Sequence, residues 1–365
     1  MIKIKDVIDY LEQIAPLAYQ EHYDNAGLMI GDAHSKVTGI LICLDITEEV
    51  LAEAKAKNCN LIIAHHPLIF KPIKKLTART YVERCIIQAI KQNLALYAIH
   101  TNLDNISQGV NQQIAQALAL NNVAILKPKK GSLSKLVTFV PEKETASVLQ
   151  ALHEAGAGNI GNYKNCSFVS EGIGSFQPSE AANPYLGKRN KLEKVNEKRI
   201  EVIFPSYLEK TLLEALHVAH PYEEVAYCVH KLENFHQAVG AGMVGELKEA
   251  HSGKEFLSYL KAKMNAACIR HTALIARPIK KVAVCGGAGS FLLKEAIAKQ
   301  ADAFITADIS YHDFFNAEKK ILIADIGHYE SELCTKALIH RLLTKKFTNI
   351  VVLKCETVTN PINYF

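Results

Sequence analysis

No apolar run in the 365 residues approaches the ~18 to 20 that a membrane-spanning helix needs. Nor does the start resemble a secretion signal: Met1 to Gln13 alternates apolar and polar residues at helical spacing, and the expected location is the cytoplasm. CxxC pairs are absent as well. The nine cysteines are scattered and several lie inside apolar runs, which favours reduced, packed thiols over disulfides or a thiolate zinc site. Any metal is then held by nitrogen and oxygen. A Walker-type phosphate loop is also lacking. The basic stretches Lys127-Pro128-Lys129-Lys130 and Lys188-Arg189-Asn190-Lys191 carry no interleaved aromatic platform, so nucleic-acid binding is the weakest reading. The net charge of +5 reads as a solvated surface.

What is present is a core-forming composition, 49% hydrophobic, in a chain long enough for two or three domains. Leu61-Ile62-Ile63-Ala64 reads as a strand buried on both faces, with His65 and His66 at its carboxyl end. Neighbouring side chains on a regular strand point to opposite faces, so both imidazoles can serve one site only if the chain turns there, and Pro67 supplies the turn. Before this strand, residues 38 to 45 read as another strand, and residues 47 to 57 as a helix capped by Thr47. After it comes a helix over 80 to 93. A strand over 94 to 99 then leads into His100-Thr101-Asn102-Leu103-Asp104, and a helix over 109 to 120 follows. Strands alternating with helices predict a mainly parallel, three-layer α/β sheet.

Composition changes at Lys127-Pro128-Lys129-Lys130-Gly131. Residues 130–235 then read in β-α-β-β-α-β order, with strands flanking a glycine-rich turn between about 158 and 175. This predicts an inserted ferredoxin-like α+β domain. From Gly240 the first pattern resumes as a repeat. Residues 40 to 65 and 282 to 308 share strand, helix and strand, with Cys43 matching Cys285. Residues 1–127 and 240–365 are therefore expected to be two related three-layer α/β halves forming one core.

In the second half, Asp308 and His312 follow the strand equivalent to Leu61–Ala64, and either is a candidate general base or an outer support of a site. His328 and Glu332, four apart, share one face of a helix start. His100 and Thr101 are candidate supports that orient a ligand. The run Gly286-Gly287-Ala288-Gly289 is either an anion cradle or a tight packing turn, and His220-Pro221-Tyr222-Glu223-Glu224 in the insert reads as a loop or interface. Strand ends thus offer His65, His66, Asp104, His328 and Glu332. Three imidazoles and two carboxylates exceed what one tetrahedral ion requires. The set suits two divalent transition-metal ions and admits Zn, Fe, Mn, Co or Ni.

The segments LIIAHHPLIF, HTNLD, ITADISYHD and DIGHYESE, in this order with an insert after residue 127, resemble the Ngg-interacting-factor family of dinuclear-metal proteins, whose members are called GTP cyclohydrolase type 2 homologues. The resemblance implies that the metal ligands are His65, His66, Asp104, His328 and Glu332, and that the insert is of the PII and CutA type. It also implies a hexameric ring, a homo-oligomer acting on a small-molecule ligand. The expected activity is metal-dependent hydrolysis of a nucleotide-like or phosphorylated small molecule, with a non-catalytic metal-bound scaffold as the alternative.

Overall fold

A computed structural model describes residues 1–365. The chain forms two compact units, Met1–Lys127 together with Val239–Phe365, and Pro128–Ala238.

The first unit is a mixed α/β structure built on two sheets. One has the order Gly27–Ile30, Ala95–Ala98, Leu61–Ala64, Ile40–Cys43, Val352–Lys354 and is parallel except at Gly27–Ile30. Its three central strands are buried at every position. The reason is that alternate residues enter different cores: Ile40, Ile42, Leu61 and Ile63 join one cluster, while Leu41, Cys43, Ile62 and Ala64 join another. The second cluster is covered by the helices Glu48–Ala56 and Tyr81–Lys91, capped by Thr47 and Thr80. In each, the threonine hydroxyl accepts from the third residue of the helix, at 3.3 Å from Val50 N and 3.2 Å from Glu83 N.

The other sheet runs Arg270–His271, Leu322–Asp325, Ala303–Ala307, Ile279–Ala288, Phe235–His251, Asn121–Lys130. Its three inner strands from 279 to 325 are parallel, flanked by antiparallel neighbours. Val282, Val284, Ala303 and Ile305 join Ile40 and Leu61 in one apolar cluster. That cluster also takes in the helices Ile4–Ile14, Val110–Ala117, Gly253–Met264 and Cys334–Lys346. The two sheets thus share a core, but they do not divide the sequence at the insert. Asn121–Lys130 pairs in the sheet of the later residues, and Val352–Lys354 in that of the earlier ones. Each expected half therefore lends a strand to the other.

The second unit has strands Leu133–Pro141, Phe168–Phe176, Glu193–Pro205 and Tyr227–Leu232, with helices Thr145–Glu154 and Glu209–Ala219. The sheet order is Phe168–Phe176, Glu193–Pro205, Leu133–Pro141, Tyr227–Leu232, antiparallel throughout. Both helices cover one face, burying Leu136, Ile200, Val202 and Phe204. Between 158 and 175 the sequence suggested strands about a glycine turn. One strand, Phe168–Phe176, instead runs straight through Gly172 and Gly174. No helix of the protein is long and apolar enough to cross a membrane.

Candidate metal centre

Parallel strands end together, and here their carboxyl ends carry the polar residues, as open α/β sheets commonly arrange. Leu61–Ala64 delivers His65 and His66, Ile40–Cys43 delivers Asp45, and Ala95–Ala98 delivers His100 and the short helix Thr101–Asp104. The other sheet contributes Asp308 after Ala303–Ala307, and His328 with Glu332 after Leu322–Asp325. The backbone bends at His65 and His66, which brings their rings to 4.9 Å between centroids.

Ring nitrogens show how each imidazole is aimed. His65 Nδ1 lies 2.8 Å from the carbonyl oxygen of Ile99, which only accepts, so Nδ1 carries the hydrogen and Nε2 is left with a lone pair. Burial holds His65 below its ordinary pKa and keeps that lone pair free of a proton. His66 donates from Nδ1 to Asp45 Oδ1 at 2.7 Å, and its Nε2 faces Glu332 Oε2 at 2.8 Å. His328 donates from Nδ1 to Asp308 Oδ2 at 2.6 Å, with Nε2 at 3.1 Å from Glu332 Oε2 and 3.3 Å from His66 Nε2. Carboxylate partners of this kind fix the tautomer and raise the basicity of a ligating imidazole.

Burial opposes the charged form of His66 and His328, yet the carboxylates prevail and raise them to about 9 and about 11. Glu332 is buried, which works against its ionisation, but the cationic His328 and His66 hold it well below the usual carboxylate range. Asp104 is pushed well above that range by burial and by the charge of Glu332.

All five predicted donors are brought together. Their ligating atoms fall into overlapping groups, each within 4.8 Å: His65, Asp104 and Glu332; His66, His328 and Glu332; and His65, His66 and His100. Glu332 is common to two of them. His65 Nε2 and Asp104 Oδ1 are buried without any hydrogen-bond partner, 3.7 Å apart. Orphaned buried polar atoms are costly, and a cation between a neutral imidazole lone pair and a carboxylate oxygen would satisfy both. The residues present therefore fit a metal ion.

The remaining candidates separate cleanly. Asp308 holds His328, while His312 is exposed, edge-on to Tyr311 and stacked on Phe315, outside the cluster. His100 belongs to the cluster and donates from Nδ1 to Asp24 Oδ1 at 2.8 Å, while Thr101 bonds the other oxygen of Asp24. Burial opposes its ionisation, but these bonds hold Asp24 down to about 2. Asp24 and Asp45 are the supports that sequence reasoning did not single out. The signal available for Asp45 was its place at the same strand end as His65, in the neighbouring strand.

Gly286, Gly287 and Ala288 form the irregular end of the strand Ile279–Ala288 and are not a separate turn. The N–H groups of Gly286, Gly287 and Gly289 donate to Asn111 Oδ1, Ser331 Oγ and Thr306 Oγ1, each at 2.9 Å, and so are used within the protein. Gly287 has φ +60°, and a Cβ there would overlap Glu332 Oε1 and stand 3.3 Å from His328 Cε1. Gly287→Ala is accordingly expected to weaken metal retention by about tenfold or more without touching a donor, comparable to losing a supporting contact. Metal content after dialysis checks this; wild-type content in the folded variant would show that Glu332 can move without loss.

A sequence profile of the Duf34/NIF3 (NGG1p interacting factor 3) family matches residues 2–361. A Bacillus subtilis protein named GTP cyclohydrolase 1 type 2 homolog is 38% identical over 367 residues, covering 99% of this chain and 98% of its own. A Staphylococcus epidermidis protein of the same name is 34% identical, with both chains covered completely. Among solved structures, a Bacillus cereus protein related to NIF3 has a TM-score of 0.87 at 36% identity, covering 100% of this chain and 99% of that one. A Staphylococcus aureus protein has a TM-score of 0.79 at 30% identity, with the same coverage.

Proposed function

The chain belongs to the Duf34/NIF3 family, and on that premise we propose that it is a dinuclear metal protein hydrolysing a nucleotide-like small molecule. The observation that carries this reading is the pair of orphaned buried atoms, His65 Nε2 and Asp104 Oδ1, beside a Glu332 that two donor groups share. His65, His66, Asp104, His328 and Glu332 would hold two divalent ions, with Glu332 common to two of the donor groups. The nitrogen and oxygen donors admit Zn, Fe, Mn, Co or Ni. When bound, such ions supply Lewis acidity and an activated water.

The chain's own residues do the rest. Asp45 and Asp308 keep the Nε2 atoms of His66 and His328 turned inward. Asp24 orients His100 in the same way. His66, Asp104, His328 and Glu332 line a cavity of about 460 Å3 whose walls include Tyr23, Phe70 and Phe291, flat apolar surfaces suited to a planar base. The relatives' name makes GTP the first compound to try. A cytoplasmic hexameric ring, with residues 128–238 as a ferredoxin-like insert of the PII and CutA type, is part of the same proposal.

The test is a screen of nucleotides and phosphoesters against metal-loaded wild type and His65→Ala. Turnover that disappears in the variant supports the reading. An absence of turnover with every metal favours the alternative, a metal-bound scaffold whose second unit does the recognising.

A further inference from the structure

The second unit carries a cavity of about 820 Å3 that the metal chemistry does not use. Strand alternation places it on the sheet face turned away from the helices. Ile200, Val202 and Phe204 of Glu193–Pro205 point to the helices, so Glu197 and Arg199 point the other way, across from Gly172 and Phe139. The walls are aromatic. Phe139, Phe176, Tyr185 and Tyr222 line the cavity, the Tyr222 ring lying 6.0 Å from Phe176 and 6.3 Å from Tyr185.

At its floor sits Glu197, only 8% exposed. Its Oε1 accepts from the Tyr222 hydroxyl at 2.8 Å, while Oε2 has no partner. Gly174 leaves room for that free oxygen, since a Cβ there would overlap it. Tyr222 is itself held by His220, at the start of the stretch His220-Pro221-Tyr222-Glu223-Glu224. His220 donates from Nε2 to Phe139 O at 2.9 Å, accepts from the Tyr222 N–H at 3.1 Å, and packs edge-on to the Tyr222 ring at 5.0 Å.

Charge is unbalanced at the floor. Arg199, the cation lining the cavity, is engaged by Glu201 at 2.8 Å, and Glu197 has no ion-pair partner. A buried carboxylate is costly unless a cation or further hydrogen bonds compensate it. Aromatic faces also attract cations through their quadrupole. We propose that this cavity binds a small organic cation, a protonated amine or amidine carried on a flat apolar body, with the cationic head on Glu197 Oε2 and the body against Phe176, Tyr185 and Tyr222.

Calorimetric titration of the full chain with benzamidine, and with benzoate as an anion of the same shape, tests this. Benzamidine is expected to bind and benzoate not. Glu197→Gln should weaken benzamidine by about tenfold or more, the scale of a hydrogen bond to a charged group. Phe176→Leu, which keeps the wall apolar but removes a ring face, should weaken it by about threefold. Metal content should stay unchanged in both variants, which separates this site from the one in the other unit. The proposal is overturned if benzamidine fails to bind at millimolar concentration or benzoate binds as well. Unchanged benzamidine affinity in either folded variant overturns it too.

Discussion

With His65 and His328 both replaced by Ala, the purified protein is expected to hold less than about a hundredth of the wild-type metal affinity, since even supporting residues of a metal site change affinity by about 10- to 100-fold. The two residues come from different sheets and serve different donor groups, His65 with Asp104 and His328 with His66, so the pair removes a donor from each side of Glu332. The substitution also strips away His328, an imidazole that holds Glu332 ionised, leaving buried carboxylates facing one another. The metal-free variant should therefore melt below the metal-free wild type as well. Elemental analysis of both proteins, alongside their melting temperatures, checks the expectation. A folded double variant with wild-type metal content would sink the assignment of these donors.

Glu332→Gln should weaken at least one metal by about tenfold or more. The carboxylate sits between three imidazoles, with Oε2 at 2.8 Å from His66 Nε2 and 3.1 Å from His328 Nε2, and Oε1 at 3.7 Å from His65 Nε2. Glutamine keeps the size and one acceptor oxygen but removes the negative charge that, on the proposed reading, would balance the bound ions. It also directs an N–H donor at nitrogens that must stay free to ligate. One effect runs the other way: without Glu332, His66 and His328 bind their protons less tightly, so a metal has less to displace. Losing a direct ligand, as the proposed function makes Glu332, would outweigh that relief. Titrating metal into the apo variant distinguishes the roles, because two sites of wild-type affinity combined with lost activity would make Glu332 a base rather than a ligand.

Much of this site was legible because its strongest signals are local. Leu61-Ile62-Ile63-Ala64 reads as a buried strand from four consecutive apolar residues, and the bend that converges His65 and His66 is written into Pro67. His328 and Glu332 share a helix face at a spacing of four, and the structure brings His328 Nε2 to 3.1 Å from Glu332 Oε2. The cap by Thr47 and the change of composition at Lys127 are local in the same sense. Asp308 and His312 show the limit: both follow the same strand, and nothing local told which would face the cluster.

The amino-acid sequence by itself determined the alternation of buried strands and helices, the strand ends that carry imidazoles, and the face shared by His328 and Glu332. Each follows from φ and ψ preferences and side-chain period within one element. Only tertiary structure decided that Asp45 steers His66 across 21 positions, that Asp24 steers His100 across 76, and that His66 meets Glu332 across 266. It also decided that Asn121–Lys130 and Val352–Lys354 each cross to the other sheet. These outcomes rest on strand pairing and on the burial of charge. A carboxylate acquires its role from whatever imidazole the packed sheets bring against it, and no sequence spacing encodes that encounter.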